Sequence, residues 1–309
     1  MSKKAFFFID DVIWVFRDLT RQRPAKLFDN PFLNLLKEAH DKYGLKVQLN
    51  LFYQTDLYYG NDIFDLSEMT DAYKEEWQAA SDWLKFGFHA RQEFPDYPYI
   101  NASYEHVYND YKMIENAVIR FAGEGLMARA TTPHWRPISK EACLALRDCG
   151  IELLSATYGN KIPYDGDASS LPYGHAGRLL CNRKEETAIF IRNTNDTAIA
   201  RSLCGYNHIN EDQLGETEGT TAYITDPETG LKFKSLGSDP NGCINLNDKA
   251  AVLAWFPQVS VDFYVYGTHE QYFYPDYFAY QEEYPEKLLL SAKILSENGY
   301  EFIFSQDII

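Results

Sequence analysis

Residues Phe6-Phe7-Phe8-Ile9-Asp10-Asp11-Val12-Ile13-Trp14 place two adjacent carboxylates at the end of an apolar run. A continuous hydrophobic stretch of this kind marks a strand buried on both faces, as in the middle of a parallel sheet. Charge is costly in such a place unless it is paired or holds a cation. Asp10 and Asp11 therefore either end the strand or line the mouth of a site.

Outward from this stretch, apolar runs alternate with amphipathic ones. Residues 5–9, 45–53, 84–88, 126–130 and 151–156 read as strands, and 31–43, 69–82, 103–122 and 139–150 as helices. In the first helix, Phe32, Leu35, Leu36 and Ala39 share a face. Asn30 is placed to cap it, Pro31 suits its first position and Gly44 its exit. Such alternation implies an α/β protein with parallel strands and βαβ crossovers, either a closed barrel or an open doubly wound sheet. Neither GxGxxG nor GxxxxGK[ST] follows any of these strands, so a nucleotide site loses its usual support.

From about residue 158 the chain becomes rich in Gly, Asn, Asp, Thr and Pro, with short β-like runs at 188–191, 221–224 and 231–234. Asp226-Pro227-Glu228-Thr229-Gly230 between the last two is a hairpin turn signal. This predicts a β-rich insertion, 158–249, in a domain formed by 1–157 and 250–309. Strands at 251–256 and 259–266, a helix at 285–297 and a strand at 300–304 complete that domain.

A net charge of −16 with no compensating basic stretch argues against nucleic acid and anionic lipid as partners. No apolar segment is long enough to span a bilayer. The five cysteines are scattered, odd in number and form no CxxC, which fits a reducing compartment. With no secretory leader pattern after Lys3 and Lys4, a cytoplasmic location is expected. The 23 Tyr, 20 Phe and 5 Trp are read mainly as core, with a carbohydrate or other small-molecule substrate in view for any that line a site.

In parallel α/β folds ligands bind at the carboxyl ends of the strands. Asp10 and Asp11 follow the first strand, His89 and Glu93 the third, His134 the fourth and His269 the late strand. Carboxylate and imidazole together suit a divalent metal, zinc best of all. His89 and Glu93 are four residues apart and would share a side if a helical turn followed His89. Two ligands from one turn and one carboxylate from another strand would leave positions open for water and substrate. One of Asp10 and Asp11 could then bind metal while the other acts as base.

These motifs, in this order, resemble the polysaccharide deacetylase family of NodB-homology, or carbohydrate esterase family 4, type. The resemblance spans 5–157 and 250–305 and implies a distorted (β/α) barrel. It implies that Asp10 is the base, that Asp11 is a metal ligand and that His269 assists as general acid. The family's His-[Ser/Thr]-x-x-His falls on His89-Ala90-Arg91-Gln92-Glu93, which makes His89 and Glu93 ligands. Its Arg-x-Pro-aromatic falls on Thr131-Thr132-Pro133-His134, and residues 139–154, SKEACLALRDCGIELL, are similar to its helix, Gly and strand. Its late Leu-x-His is similar to Gly267-Thr268-His269. His134, Trp135 and Arg129 are the expected substrate contacts. Glu93 replaces the second family His, Ala90 its Ser/Thr, Thr131 its Arg and Val12-Ile13 its Gly-Pro; Arg129 and Arg136 are the candidates to stand in for that Arg.

The expected function is metal-dependent removal of an acyl group from a sugar or a related amide or ester. Two others fit the same residues. The altered motifs favour a decayed deacetylase fold that binds carbohydrate or serves structurally. A capping insertion would suit an amidohydrolase for a small non-sugar substrate.

Overall fold

The computed structural model describes residues 3–55, 63–93, 98–156, 211–237 and 240–309. The apolar run is a ten-residue strand, β1 (Lys3–Val12), central to a parallel sheet. On one edge β1 pairs with β8 (Phe263–His269). On the other it pairs first with β9 (Tyr300–Phe302) and then with β2 (Val47–Phe52), which carries β3 (Leu84–Ala90) beyond it. A second row joins β4 (Ala130–Thr131), β5 (Leu153–Leu154) and β7 (Lys232–Phe233) in parallel. A parallel bridge between Phe86 and Met127 links the two rows. Among the described residues no strand ladder joins the outer ends, so the α/β, parallel-strand class is seen without a closed ring.

Helices α1 (Trp14–Gln22), α2 (Pro31–Tyr43), α3 (Lys74–Ala79), α4 (Tyr104–Phe121) and α5 (Lys140–Asp148) connect the early strands. Their caps are those the sequence offers: Asn30, Ser103 and Ser139 each accept a backbone N–H of the first turn. Gly44 ends α2 with a φ of 72°, which favours glycine. Among the described residues most aromatic side chains are core. Phe16, Trp77, Phe86 and Phe121 form one cluster with ring centroids 5.2–6.4 Å apart. Tyr272, Tyr274 and Tyr277 are buried as well and form a packed loop.

The turn signal at Asp226–Gly230 joins a true hairpin. Here β6 (Ile224–Thr225) pairs antiparallel with β7. The Asp226 carboxylate accepts the backbone N–H groups of Glu228 and Thr229 across the turn. Short helix α6 (Glu211–Gly215) precedes it. The β-like run at 188–191 lies outside the described residues.

One predicted strand is a helix. Residues 251–256 fall in α7 (Lys249–Trp255), capped by Asp248, whose carboxylate accepts Ala251 N–H at 2.7 Å. The run Ala250-Ala251-Val252-Leu253-Ala254 is apolar but not buried throughout: Val252 faces the core while Leu253 is 47% exposed. Good helix formers behind an Asp cap outweigh its strand-like hydrophobicity. The late helix, α8 (Tyr284–Glu297), is as expected.

Helix α1 has no acceptor of its own at its start, since Ile13 holds the cap position. Glu270, fully buried just after β8, supplies it from across the sheet. One carboxylate oxygen accepts Ile13 N–H at 2.7 Å and Trp14 N–H at 2.8 Å; the other accepts Val15 N–H at 2.7 Å. Three otherwise orphaned donors are met by the two oxygens of one carboxyl group, which burial raises to about 7 against the pull of those N–H groups. Glu270→Ala leaves three buried N–H groups unmet and is expected to cost about 3 kcal/mol or more of unfolding free energy. Glu270→Gln, which keeps one acceptor oxygen, should cost less, and urea denaturation of both variants measures the difference.

Candidate metal centre

Two neighbours on a strand normally point to opposite faces. At the end of β1 the register slips between Ile9 and Val12, and Asp11 adopts a φ of 61°. The slip breaks the alternation, so both carboxylates reach the same region. Asp10 lies opposite His269 in the ladder between β1 and β8. A positive φ on a non-glycine residue costs roughly 1–2 kcal/mol and persists where its surroundings hold it, often at a functional site. Trp135 and Arg136, just after His134, have φ of 62° and 70°.

His89 is the penultimate residue of β3, and the backbone N–H of His134 bonds its carbonyl at 3.0 Å, which draws the loop after β4 against it. The two imidazoles are oriented by backbone carbonyls. His89 Nδ1 lies 2.6 Å from Thr132 O, and His134 Nε2 lies 3.0 Å from Glu93 O. A carbonyl only accepts, so each of these nitrogens carries its proton. In the neutral rings the lone pairs then fall on His89 Nε2 and His134 Nδ1. Those two atoms are 3.0 Å apart, and both face Asp11 Oδ1, at 3.1 and 3.5 Å.

Three electron-pair donors thus meet at one point, all buried. Asp11 Oδ1 receives no hydrogen bond of proper geometry among the described residues. Its neighbour Oδ2 is held by Gln271 Nε2 at 2.8 Å. Left to themselves the three donors repel one another. A proton relieves one pair; a cation relieves all three. Three ligands about 2.1 Å from one tetrahedral ion stand about 3.4 Å from each other, against the 3.0, 3.1 and 3.5 Å found here. The donor set and its spacing fit a divalent cation.

Other charges surround this point. Asp10 accepts Asn50 Nδ2–H at 2.6 Å. His269 Nε2 is 4.0 Å from Asp11 Oδ2, and its Nδ1 is 3.1 Å from Asn245 Oδ1. Burial raises the Asp10 carboxyl above the usual carboxylate range, against the opposing pull of His89 and His269. Burial acts on Asp11 in the same sense, but His269, His89 and His134 outweigh it and hold Asp11 well below that range. Burial opposes charge on both His89 and His269, yet Asp10 and Asp11 raise His89, and Asp11, Cys243 and Asp10 together carry His269 to about 10. About a third of the His269 side chain is exposed, so solvent screens part of that pull.

The residues expected from sequence fall as follows. Asp10, Asp11, His89 and His269 come together. The third donor beside Asp11 and His89 is His134, which the sequence had placed against substrate. The Glu93 carboxylate stands 4.0 Å from His134 Nε2, on the far side of that ring from the meeting point, and its backbone carbonyl orients the ring. Trp135 packs edge-on against His134. Arg129 is half-exposed and paired with Glu152 at 2.6 Å. Asn50, Gln271 and Asn245, which also line this centre, belong to no motif in the sequence. Polar side chains inside an apolar strand, such as Asn50, were the available signal.

No protein-family model matches the sequence, and no curated protein matches it. Among solved structures the chain is similar to a 4-alpha-glucanotransferase from Thermococcus litoralis, at 12% identity over 100% of this chain, with a TM-score of 0.55. It spans only 40% of that protein, and the likeness is one of fold. Carbohydrate esterase family 4 structures also recur. The Xyl-CE4 domain of a xylanase from the hindgut metagenome of Trinervitermes trinervoides has 10% identity over 100% of this chain and 90% of its own, with a TM-score of 0.41. A family 4 acetyl xylan esterase from Clostridium thermocellum, in complex with a cobalt ion, has 11% identity over 99% of this chain and 90% of its own, with a TM-score of 0.43.

The geometry predicts opposite tautomers for the two buried imidazoles. In the metal-free protein, in alkaline solution where both rings are neutral, ¹⁵N NMR should find His89 protonated on Nδ1 and His134 on Nε2. The reverse assignment in either ring would break the convergence.

Proposed function

We propose that this chain is a metal-dependent hydrolase that removes an acyl group from a carbohydrate or a related amide or ester. The observation that carries the proposal is the meeting of three lone pairs, from Asp11, His89 and His134, at a spacing suited to one ion. In this reading those three residues hold the metal. Zinc suits two imidazoles and one carboxylate best. When bound, such a cation polarises a carbonyl and lowers the pKa of water toward neutrality.

The chain's own groups then have distinct tasks. Asp10 is beside the metal ligands but outside their set, and takes the proton of the attacking water. His269 approaches from the neighbouring strand with Nδ1 held by Asn245, so Nε2 is the atom directed toward the ligands. It delivers a proton to the departing amine or alcohol. Gln271 occupies Asp11 Oδ2 and leaves Oδ1 to the metal. The order of motifs along the chain, resembling polysaccharide deacetylases, supports an acyl group on a sugar as the substrate.

The carbonyl-fixed tautomers of His89 and His134 favour a metal-holding centre over a decayed fold that has lost its ligands. Metal analysis of the purified protein should find about one ion per chain in the wild type. Asp11→Ala, His89→Ala and His134→Ala should lose it, and Glu93→Ala should retain it. Asp10→Asn should keep the metal yet release acetate from acetylated chito-oligosaccharides about 10²–10⁴-fold more slowly. Retention of metal in all three ligand variants, or its absence from the metal-supplied wild type, would refute the proposal.

A further inference from the structure

Asp10 makes no ion pair with Arg or Lys among the described residues; its hydrogen-bond donor there is Asn50. The sequence position where the resembling family has an Arg is Thr131, whose hydroxyl is engaged by Phe88 O. Arg129, one candidate replacement, pairs with Glu152. A different element therefore holds this carboxylate.

That element is β2. Val47, Leu49 and Leu51 occupy one face, while Gln48 and Asn50 occupy the other; both are buried, at 1% and 0% exposure. Amide groups are expensive to bury unless their hydrogen bonds are met. Here the bonds form a chain with a fixed direction. Ala130 O can only accept, so the group of Gln48 that lies 3.0 Å from it is Nε2. The same Nε2 bonds Asn50 Oδ1 at 2.8 Å. With its oxygen committed, Asn50 must turn Nδ2 toward Asp10 Oδ1, at 2.6 Å. One backbone carbonyl thus sets both amide orientations and the donor that meets the carboxylate.

The chain of amides needs room, and the neighbouring strand provides it. Gly87 lies opposite Asn50 in the β2–β3 register. A Cβ there would overlap Asn50 Oδ1 and approach Gln48 Nε2 to 2.6 Å. Its conformation does not need glycine, because its φ is not in the left-handed region. The absent side chain leaves space for Asn50.

We propose that Asn50, oriented by Gln48 and accommodated by Gly87, is the residue that positions Asp10 as base, a neutral amide doing by hydrogen bond what a cation would do by charge. The inference rests on the hydrolase reading for its catalytic meaning and on the three hydrogen bonds for its geometry. Asn50→Leu removes the donor at similar volume. Gly87→Ala displaces the amide without removing it. Both should retain metal and KM while kcat for acetate release falls about 10–100-fold, as for other partners of site residues. Gln48→Met, one bond further away, should fall less.

A second readout needs neither metal nor turnover. In the metal-free chain labelled with ¹⁵N-asparagine, one Asn50 side-chain proton should be shifted downfield and protected from solvent exchange. Asp10→Ala should abolish that signature. If the wild type takes no metal and releases no acetate, the hydrolase reading fails, and the Asn50 proton alone decides the contact. Unaltered kcat in both Asn50→Leu and Gly87→Ala in an active protein, or an Asn50 amide indifferent to Asp10→Ala, would overturn the positioning role.

Discussion

Two backbone carbonyls, Thr132 O and Glu93 O, decide what the centre of this protein can do. Each binds one nitrogen of a buried imidazole and so fixes the proton there. The opposite nitrogens are left as lone pairs beside a buried carboxylate oxygen, within about 3.5 Å of one another by pairwise distance. Such a cluster has no reason to be stable by itself. It is held by rigid elements: the end of a seven-residue strand for His89, a backbone bond to that strand for His134, and a bulged strand end for Asp11. Metal sites usually owe their ligand orientation to such outer contacts.

The exit of β8 does comparable work from the other side. His269, Glu270 and Gln271 are consecutive, and each addresses the segment 10–15. His269 faces Asp11, Glu270 binds three N–H groups at the start of α1, and Gln271 binds Asp11 Oδ2. The bulge at Asp11 is thereby pinned by contacts about 260 residues away in sequence. Close approach of the two strands depends on Gly267, where a Cβ would come within 2.6 Å of the Phe8 ring. Stability and site geometry are in this way coupled through one strand end.

Much of the scaffold could be read from the chain because its signals are local. Strand 5–9 is a continuous apolar run, α2 has its cap, its Pro and its Gly in place, and the Asp226–Gly230 turn carries its own carboxylate acceptor. Where the signal was distant, it was missed: α1 is capped by a residue 255–257 positions away. Asp10, Asp11, His89 and His269 were legible as site candidates because parallel strands bring their carboxyl ends together. The choice between Glu93 and His134 was not. Spacing of four assumed a helical turn after His89, but the strand runs on through Ala90 before the chain bends. Glu93 therefore offers its carbonyl to the site, while His134 arrives from the loop after β4. The tethering of Asp10 was illegible for a similar reason: the amide comes from β2, not from the segment where the family pattern carries Arg.

The central claim is that Asp11, His89 and His134 share one cation. Anomalous diffraction from crystals grown with zinc, recorded on both sides of the zinc edge, tests it most directly. The account predicts a single peak about 2.0–2.2 Å from Asp11 Oδ1, His89 Nε2 and His134 Nδ1, with one further position open to solvent. A peak bound by other residues would contradict it. So would a metal-free site in which a proton joins His89 Nε2 to Asp11 under saturating zinc.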